Sequence, residues 1–225
     1  MTFLRTAWLV AGKDLRIEAR SRVAVNQIAP LALLVLFLFA FALDPDRGFL
    51  TRAAPGLYWV AVLLSALVVI QRSFATETVD GGRDGLRVAG LDPAAIFLGK
   101  GAAVGAVLLV LEAVLAAGVT LLYGASLGGS APLVVAACLL ATIGLVAPGM
   151  VFGALASGVR IRETLLPLLF LPVVSPVMIG ATRAFEAAVD RSPGEGWRWC
   201  GLLAVFAVLY TALGMVVFEP LLEDS

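Results

Sequence analysis

The carboxylate of Glu112 stands midway along Gly101–Tyr123, a run that holds no other charge. A charged group at the centre of an apolar helix costs roughly 3 kcal/mol on insertion scales. Glu112 is therefore expected to face a protein interior, to carry a proton, or to find a hydrogen-bond partner. Two chemistries follow. It can serve as an acid on a substrate path or in proton-linked transfer, or as a packing acid bonded to polar groups such as Ser65, Thr142 or Ser175. Polar groups often glue membrane helices together in the second way. The other apolar runs contain no cation to pair with it.

Other reactive groups are scarce. The chain has no histidine, which removes the commonest general base and metal ligand. It also removes the usual ligand for haem iron. Cys138 and Cys200 lie in or beside apolar runs, far from any CxxC spacing, and read as small buried hydrophobes. Gly99-Lys100 is followed by Gly101, and no glycine stands five residues before Gly99, so a phosphate-binding P-loop is absent. No nucleophile elbow, metalloprotease helix or zinc spacing occurs. The expectation is a chain without catalytic machinery, resident cofactor or metal.

The densest mixture of charges is RSFATETVDGGRDGLRVAGLDPAAIFLGK, residues 72–100. Gly81-Gly82 marks a turn. Asp92-Pro93 reads as the opening of a helix, with aspartate as N-cap and proline in the first turn. The segment reads either as a solvated loop or as a short amphipathic element at the membrane face, able to dock a soluble partner.

The elements that hold these residues follow from composition. Sixty-one per cent of the residues are hydrophobic and 14% charged, with a mean hydropathy of +1.01. Soluble domains carry roughly 25% charged residues, so the excess apolar surface calls for a bilayer. A spanning helix needs ~20 apolar residues. Six such runs are predicted: Val23–Leu43, Ala53–Gln71, Gly101–Tyr123, about Ala131–Ala156, Thr164–Thr182 and Trp199–Phe218. Gly124–Ser130 separates the third from the fourth by its turn composition. Eleven Lys and Arg residues fall on the side of the termini and five on the other, which predicts both termini in the cytoplasm.

Ala40-Phe41-Ala42 has the form of a signal-peptide cleavage site. The long charged leader and the membrane-length apolar run instead favour an anchor. Residues 1–22 read as an interfacial helix, with Leu4, Trp8, Ala11 and Leu15 on one face and Arg5, Lys13, Arg16 and Arg20 roughly opposite. Such a helix can lie among headgroups; the alternative is a basic flank that only fixes topology. Glu18 interrupts the apolar face. The fifth run carries Pro167, Pro172 and Pro176, which predicts a kinked or broken helix. Residues 1–225 are expected to form one domain, with no linker or repeat to divide it.

These features together resemble a known family. The loop 72–100 is similar to the connecting loop of type-2 ABC exporter permeases. Over nearly its full length the chain resembles the haem exporter protein B family (cytochrome c maturation protein B, CcmB). The likeness is carried by KDLRIEARSR, PGLYWVAVLLSAL, LDPAAIFLGK, RETLLPLLFLPVVSPVMIGATRAFEA and the ending FEPLLED.

The resemblance implies an all-α membrane subunit of an ABC complex in the bacterial cytoplasmic membrane. That subunit has six transmembrane helices, an N-terminal interfacial helix and a short cytoplasmic coupling helix. The implied partners are a separate ABC ATPase subunit (cytochrome c maturation A), the haem-handling C and small D subunits, and the haem chaperone E. A second copy of the chain and the lipid bilayer are implied as well, but no nucleic acid. ATP would bind the ATPase subunit, and haem would be handled by the complex. On that footing Glu77, Asp80, Gly81, Gly82, Asp84, Leu86, Arg87 and Asp92, within a surface reaching Lys100, are expected to couple to the ATPase. Arg160, Arg162 and Glu163 would form a smaller second contact. The competing readings are a type-2 permease for another cargo, such as a lipid-linked glycan or a drug, and a stand-alone proton-linked carrier using Glu112.

Overall fold

The computed structural model describes residues 2–43, 47–79, 92–127, 130–157 and 162–223. Seven α-helices are described: α1 (Phe3–Ser21), α2 (Ala29–Ala42), α3 (Arg47–Val79), α4 (Pro93–Tyr123), α5 (Ala131–Ser157), α6 (Arg162–Val189) and α7 (Pro193–Glu223). A five-residue π-helical segment, Ala24–Ile28, leads into α2. Pro30 cannot donate to the carbonyl one turn back, and the wider π turn precedes it. Six stretches are long and apolar enough to cross a membrane: Ala24–Ala42, Gly48–Ala75, Pro93–Tyr123, Ala131–Ala156, Thr164–Val189 and Pro193–Phe218. All six correspond to predicted spans.

The boundaries differ most at the third span. Its helix begins at Pro93, eight residues before the predicted Gly101. Asp92 is its N-cap, accepting a hydrogen bond from the Ala94 amide at 2.9 Å. Nothing between Pro93 and Gly101 breaks a helix. Its one charge, Lys100, is 2% exposed, because α1 supplies a partner for it. Residues 93–100 are thus the first turns of a spanning helix.

Contacts between side chains order the helices. Phe97 of α4 meets Phe218 near the end of α7, Phe74 near the end of α3 meets Gly153 near the end of α5, and Gly196 of α7 meets Leu133 of α5. The end of α3, the start of α4 and the ends of α5 and α7 therefore share one end of the bundle with α1. Helices α3 and α5 are the most enclosed, and α2 and α7 face outwards most.

Close approach depends on small residues, as expected where lipid supplies no hydrophobic drive between helices. A Cβ at Gly149 would meet the Ile70 side chain, and one at Gly153 would lie 2.6 Å from Phe74 Cδ2. Hydrogen bonds add specific ties. All three tyrosines donate to a main-chain carbonyl of another helix: Tyr58 to Glu112 at 3.2 Å, Tyr123 to Leu36 at 2.6 Å and Tyr210 to Val173 at 2.7 Å.

The last of these lies among the prolines of α6. Helix α6 runs unbroken through Pro167, Pro172 and Pro176; the carbonyl left without a helix donor at Pro176 is that of Pro172, and the Tyr210 hydroxyl bonds the next one, Val173. Tyr123→Phe is expected to loosen α4 from α2 by about 1 kcal/mol. Steric-trap or denaturant unfolding in bicelles measures it, and an unchanged midpoint would mean that the bond contributes nothing.

Candidate functional site

Two places hold the residues with chemical potential. The first surrounds Glu112, which is 2% exposed. The Thr142 hydroxyl of α5 donates to Glu112 Oε1 at 2.6 Å. Of the three partners expected, only Thr142 is used: Ser65 bonds the Ala61 carbonyl of its own helix, and Ser175 bonds that of Leu171. Glu112 Oε2 is buried without a hydrogen-bond partner, as is Trp59 Nε1. Beside them the Tyr58 hydroxyl lies 3.5 Å from Cys138 Sγ. Tyr58 stacks on Phe185 at 4.6 Å, and Trp59 meets the same ring edge-on at 5.6 Å.

Helices α3, α4, α5 and α6 thus enclose one polar cluster inside an aromatic wall. Thr142 also borders an apolar cavity of about 450 Å³, lined by Gly101, Gly105, Leu109, Ile143 and Met150 among others. Glu112 is a helix-crossing acid with one oxygen engaged and one not. Among the described residues no group of three His, Cys, Asp or Glu side chains is gathered as metal ligands would be.

The second place is the end of the bundle that carries α1. On a helical wheel α1 has three faces, one more than expected. Leu4, Trp8 and Leu15 remain outward, with Leu4 78% and Trp8 80% exposed. Arg5, Lys13, Arg16 and Arg20 are exposed beside them. Between lies a docking face: Thr6, Val10 and Ala11 are buried, so Ala11 belongs to the packed side rather than to the outward apolar face.

Glu18 falls on this docking face. Its Oε1 accepts from the Ala24 amide at 2.7 Å and its Oε2 lies 3.7 Å from Arg72 Nε. One turn earlier, Asp14 Oδ2 lies 3.4 Å from Lys100 Nζ, whose ammonium also sits 5.2 Å from the Phe74 ring centroid. Gly99 provides the clearance, since a Cβ there would press on the Ala7 carbonyl and lie 2.9 Å from Val10 Cβ. Composition alone offered no sign that Asp14, Glu18, Arg72 and Lys100 act together. The i, i+4 spacing of the two acids was the available signal.

The expected coupling residues are placed unevenly. Asp92 is exposed at the start of α4. Glu77, Arg162 and Glu163 are placed by backbone alone, near the end of α3 and at the start of α6. Those two helix termini share one end of the bundle. Asp80, Gly81, Gly82, Asp84, Leu86, Arg87 and Arg160 lie outside the described residues.

Six stretches long and apolar enough to cross a membrane define a multi-pass membrane protein. The model of the CcmB protein family matches residues 5–219, and the chain belongs to that family. Similar relatives carry the name Heme exporter protein B. The protein of Haemophilus influenzae is 32% identical over 212 residues, covering 92% of this chain and 90% of the relative. The Shigella flexneri protein is 32% identical over 194 residues, covering 84% and 86%. The Paracoccus denitrificans protein is 34% identical over 182 residues, covering 80% and 83%.

Proposed function

We propose that this chain is the membrane subunit of an ATP-driven haem-export complex serving cytochrome c maturation in the bacterial cytoplasmic membrane, with both termini cytoplasmic. The observation that carries this reading is the match to the CcmB family over residues 5–219, with relatives named Heme exporter protein B. The chain holds no cofactor of its own. A separate ABC ATPase subunit binds ATP, and the complex includes haem-handling C and small D subunits and releases the haem-loaded chaperone E. Two copies of the chain serve one complex.

ATP hydrolysis reaches the bundle through the segment joining α3 to α4, with the α5–α6 connection as a second contact. What supports this is the arrangement of ends: α3, α4 and α5 meet beside α1, and Phe74 packs on Gly153 there. The work is mechanical. The bundle transmits displacement, and no haem-ligating histidine exists in the chain.

Deleting the gene and measuring covalently bound haem in c-type cytochromes tests the assignment. Loss of holo-cytochrome c, restored by complementation, is expected. Unchanged levels would remove the haem assignment and promote a type-2 permease for another cargo. Charge reversal at Glu77 or Arg87 is expected to abolish co-purification of the ATPase while leaving the subunit folded. Normal assembly and normal cytochrome c in those variants would refute the coupling segment.

A further inference from the structure

The docking face of α1 holds two carboxylates one helical turn apart, and each reaches a different spanning helix. Asp14 pairs with Lys100 at the start of α4, and Glu18 pairs with Arg72 near the end of α3. Arg72 also donates to Ser21 on the last turn of α1 at 3.1 Å. Side chains at i and i+4 share a helix face, so α1 lies across both helices as one rigid piece. Packing fixes its seat, because Gly99 admits the Ala7 backbone.

The two ties differ in kind. Lys100 is 2% exposed while Asp14 is 16% exposed, so the attraction between them is shielded from water and salt. The Glu18–Arg72 pair is longer at 3.7 Å and its side chains are 22% and 29% exposed. Both cation and carboxylate of this pair border a gap of about 60 Å³, large enough for water, whereas of the other pair only Asp14 does. A solvated pair of this kind is weak and screened by salt. One tie is firm and the other releasable.

We propose that α1 is an electrostatic strap across α3 and α4: fixed to α4 through Asp14 and Lys100, and releasably bound to α3 through Glu18 and Arg72. Separation of α3 from α4 at this end breaks the contacts of Arg72 with Glu18 and Ser21 first and leaves α1 travelling with α4. The outward face of Leu4, Trp8 and Leu15 carries that movement into the headgroup layer. This conformational device stands on the ion pairs and does not depend on what the protein transports.

The test is pulsed electron–electron spin resonance on the purified chain in nanodiscs, with Cys138 and Cys200 replaced by alanine. Nitroxides at Trp8→Cys and Leu121→Cys, both exposed sites, report α1 against the far end of α4. At 1.5 Å per residue the separation is about 33 Å. A second pair, Val68→Cys and Leu121→Cys, reports α3 against α4. Glu18→Gln is expected to broaden the second distribution at least twofold and leave the first narrow. Asp14→Asn is expected to broaden the first, with the exchange of charges in Asp14→Lys/Lys100→Asp restoring it.

Should a variant fail to accumulate, the unmodified helix ends answer through salt. Raising ionic strength from about 0.05 to 0.5 M is expected to broaden the α3–α4 distance before the α1–α4 distance. Distributions that ignore both the substitutions and the salt would overturn the strap.

Discussion

Gly99→Val is expected to unseat α1 from the bundle. The new Cβ would press on the Ala7 carbonyl oxygen and lie 2.9 Å from Val10 Cβ. A flexible side chain could swing away from such a contact, but a helix carbonyl cannot without displacing α1 as a whole. Overpacking of this type costs about 1–3 kcal/mol. Displacing α1 also draws Asp14 away from Lys100 and gives up that ion pair. The combined penalty is large enough that the helix should leave rather than compress.

The readout is tryptic cleavage at Lys13, Arg16 and Arg20 in nanodiscs, which should accelerate at least tenfold in the variant. Gly56→Ala is the control, because nothing lies within 4 Å of a Cβ at that position, and it should behave as the native chain. Equal cleavage rates for Gly99→Val and the control would show that α1 is held by lipid alone.

Thr142→Val is expected to destabilise the bundle by about 1–3 kcal/mol, the cost of leaving a buried polar group unsatisfied. Valine keeps the shape of threonine and removes only the donor. Glu112 Oε1 then loses its 2.6 Å bond, and Oε2 has none already. Adding Glu112→Leu in the same chain removes the stranded carboxyl and should recover most of the loss. Unfolding in bicelles measures both, and no destabilisation by Thr142→Val would mean that the bond is not formed in the membrane. Glu112→Gln separates the two roles of this residue. It retains an acceptor for Thr142, so undiminished holo-cytochrome c would leave Glu112 a packing acid. Loss of cytochrome c with normal accumulation would make it part of the transport path.

What each level of description determined can be seen residue by residue. The six spans were legible because a bilayer forbids unpaired backbone and charge, which leaves apolar runs bounded by charges that can be counted without any partner. The helix start at Asp92-Pro93 was legible for a related reason, since capping is a local event within three residues. The seat of Glu112 was legible only in part. Its burial followed from the cost of its charge, but the choice of Thr142 over Ser65 and Ser175 needed the rotation of each helix about its own axis.

The docking of α1 was hidden altogether. Glu18 looked like an intrusion into an apolar face and Lys100 like a boundary charge, because each has its partner far along the chain. Asp14 and Lys100 are 86 positions apart, and Arg72 meets Ser21 across 51. Local sequence determined which segments enter the membrane, since that depends on each segment's own solvation. Only the packed bundle decided which charges meet, because an ion pair inside a membrane protein exists by virtue of two helices lying side by side.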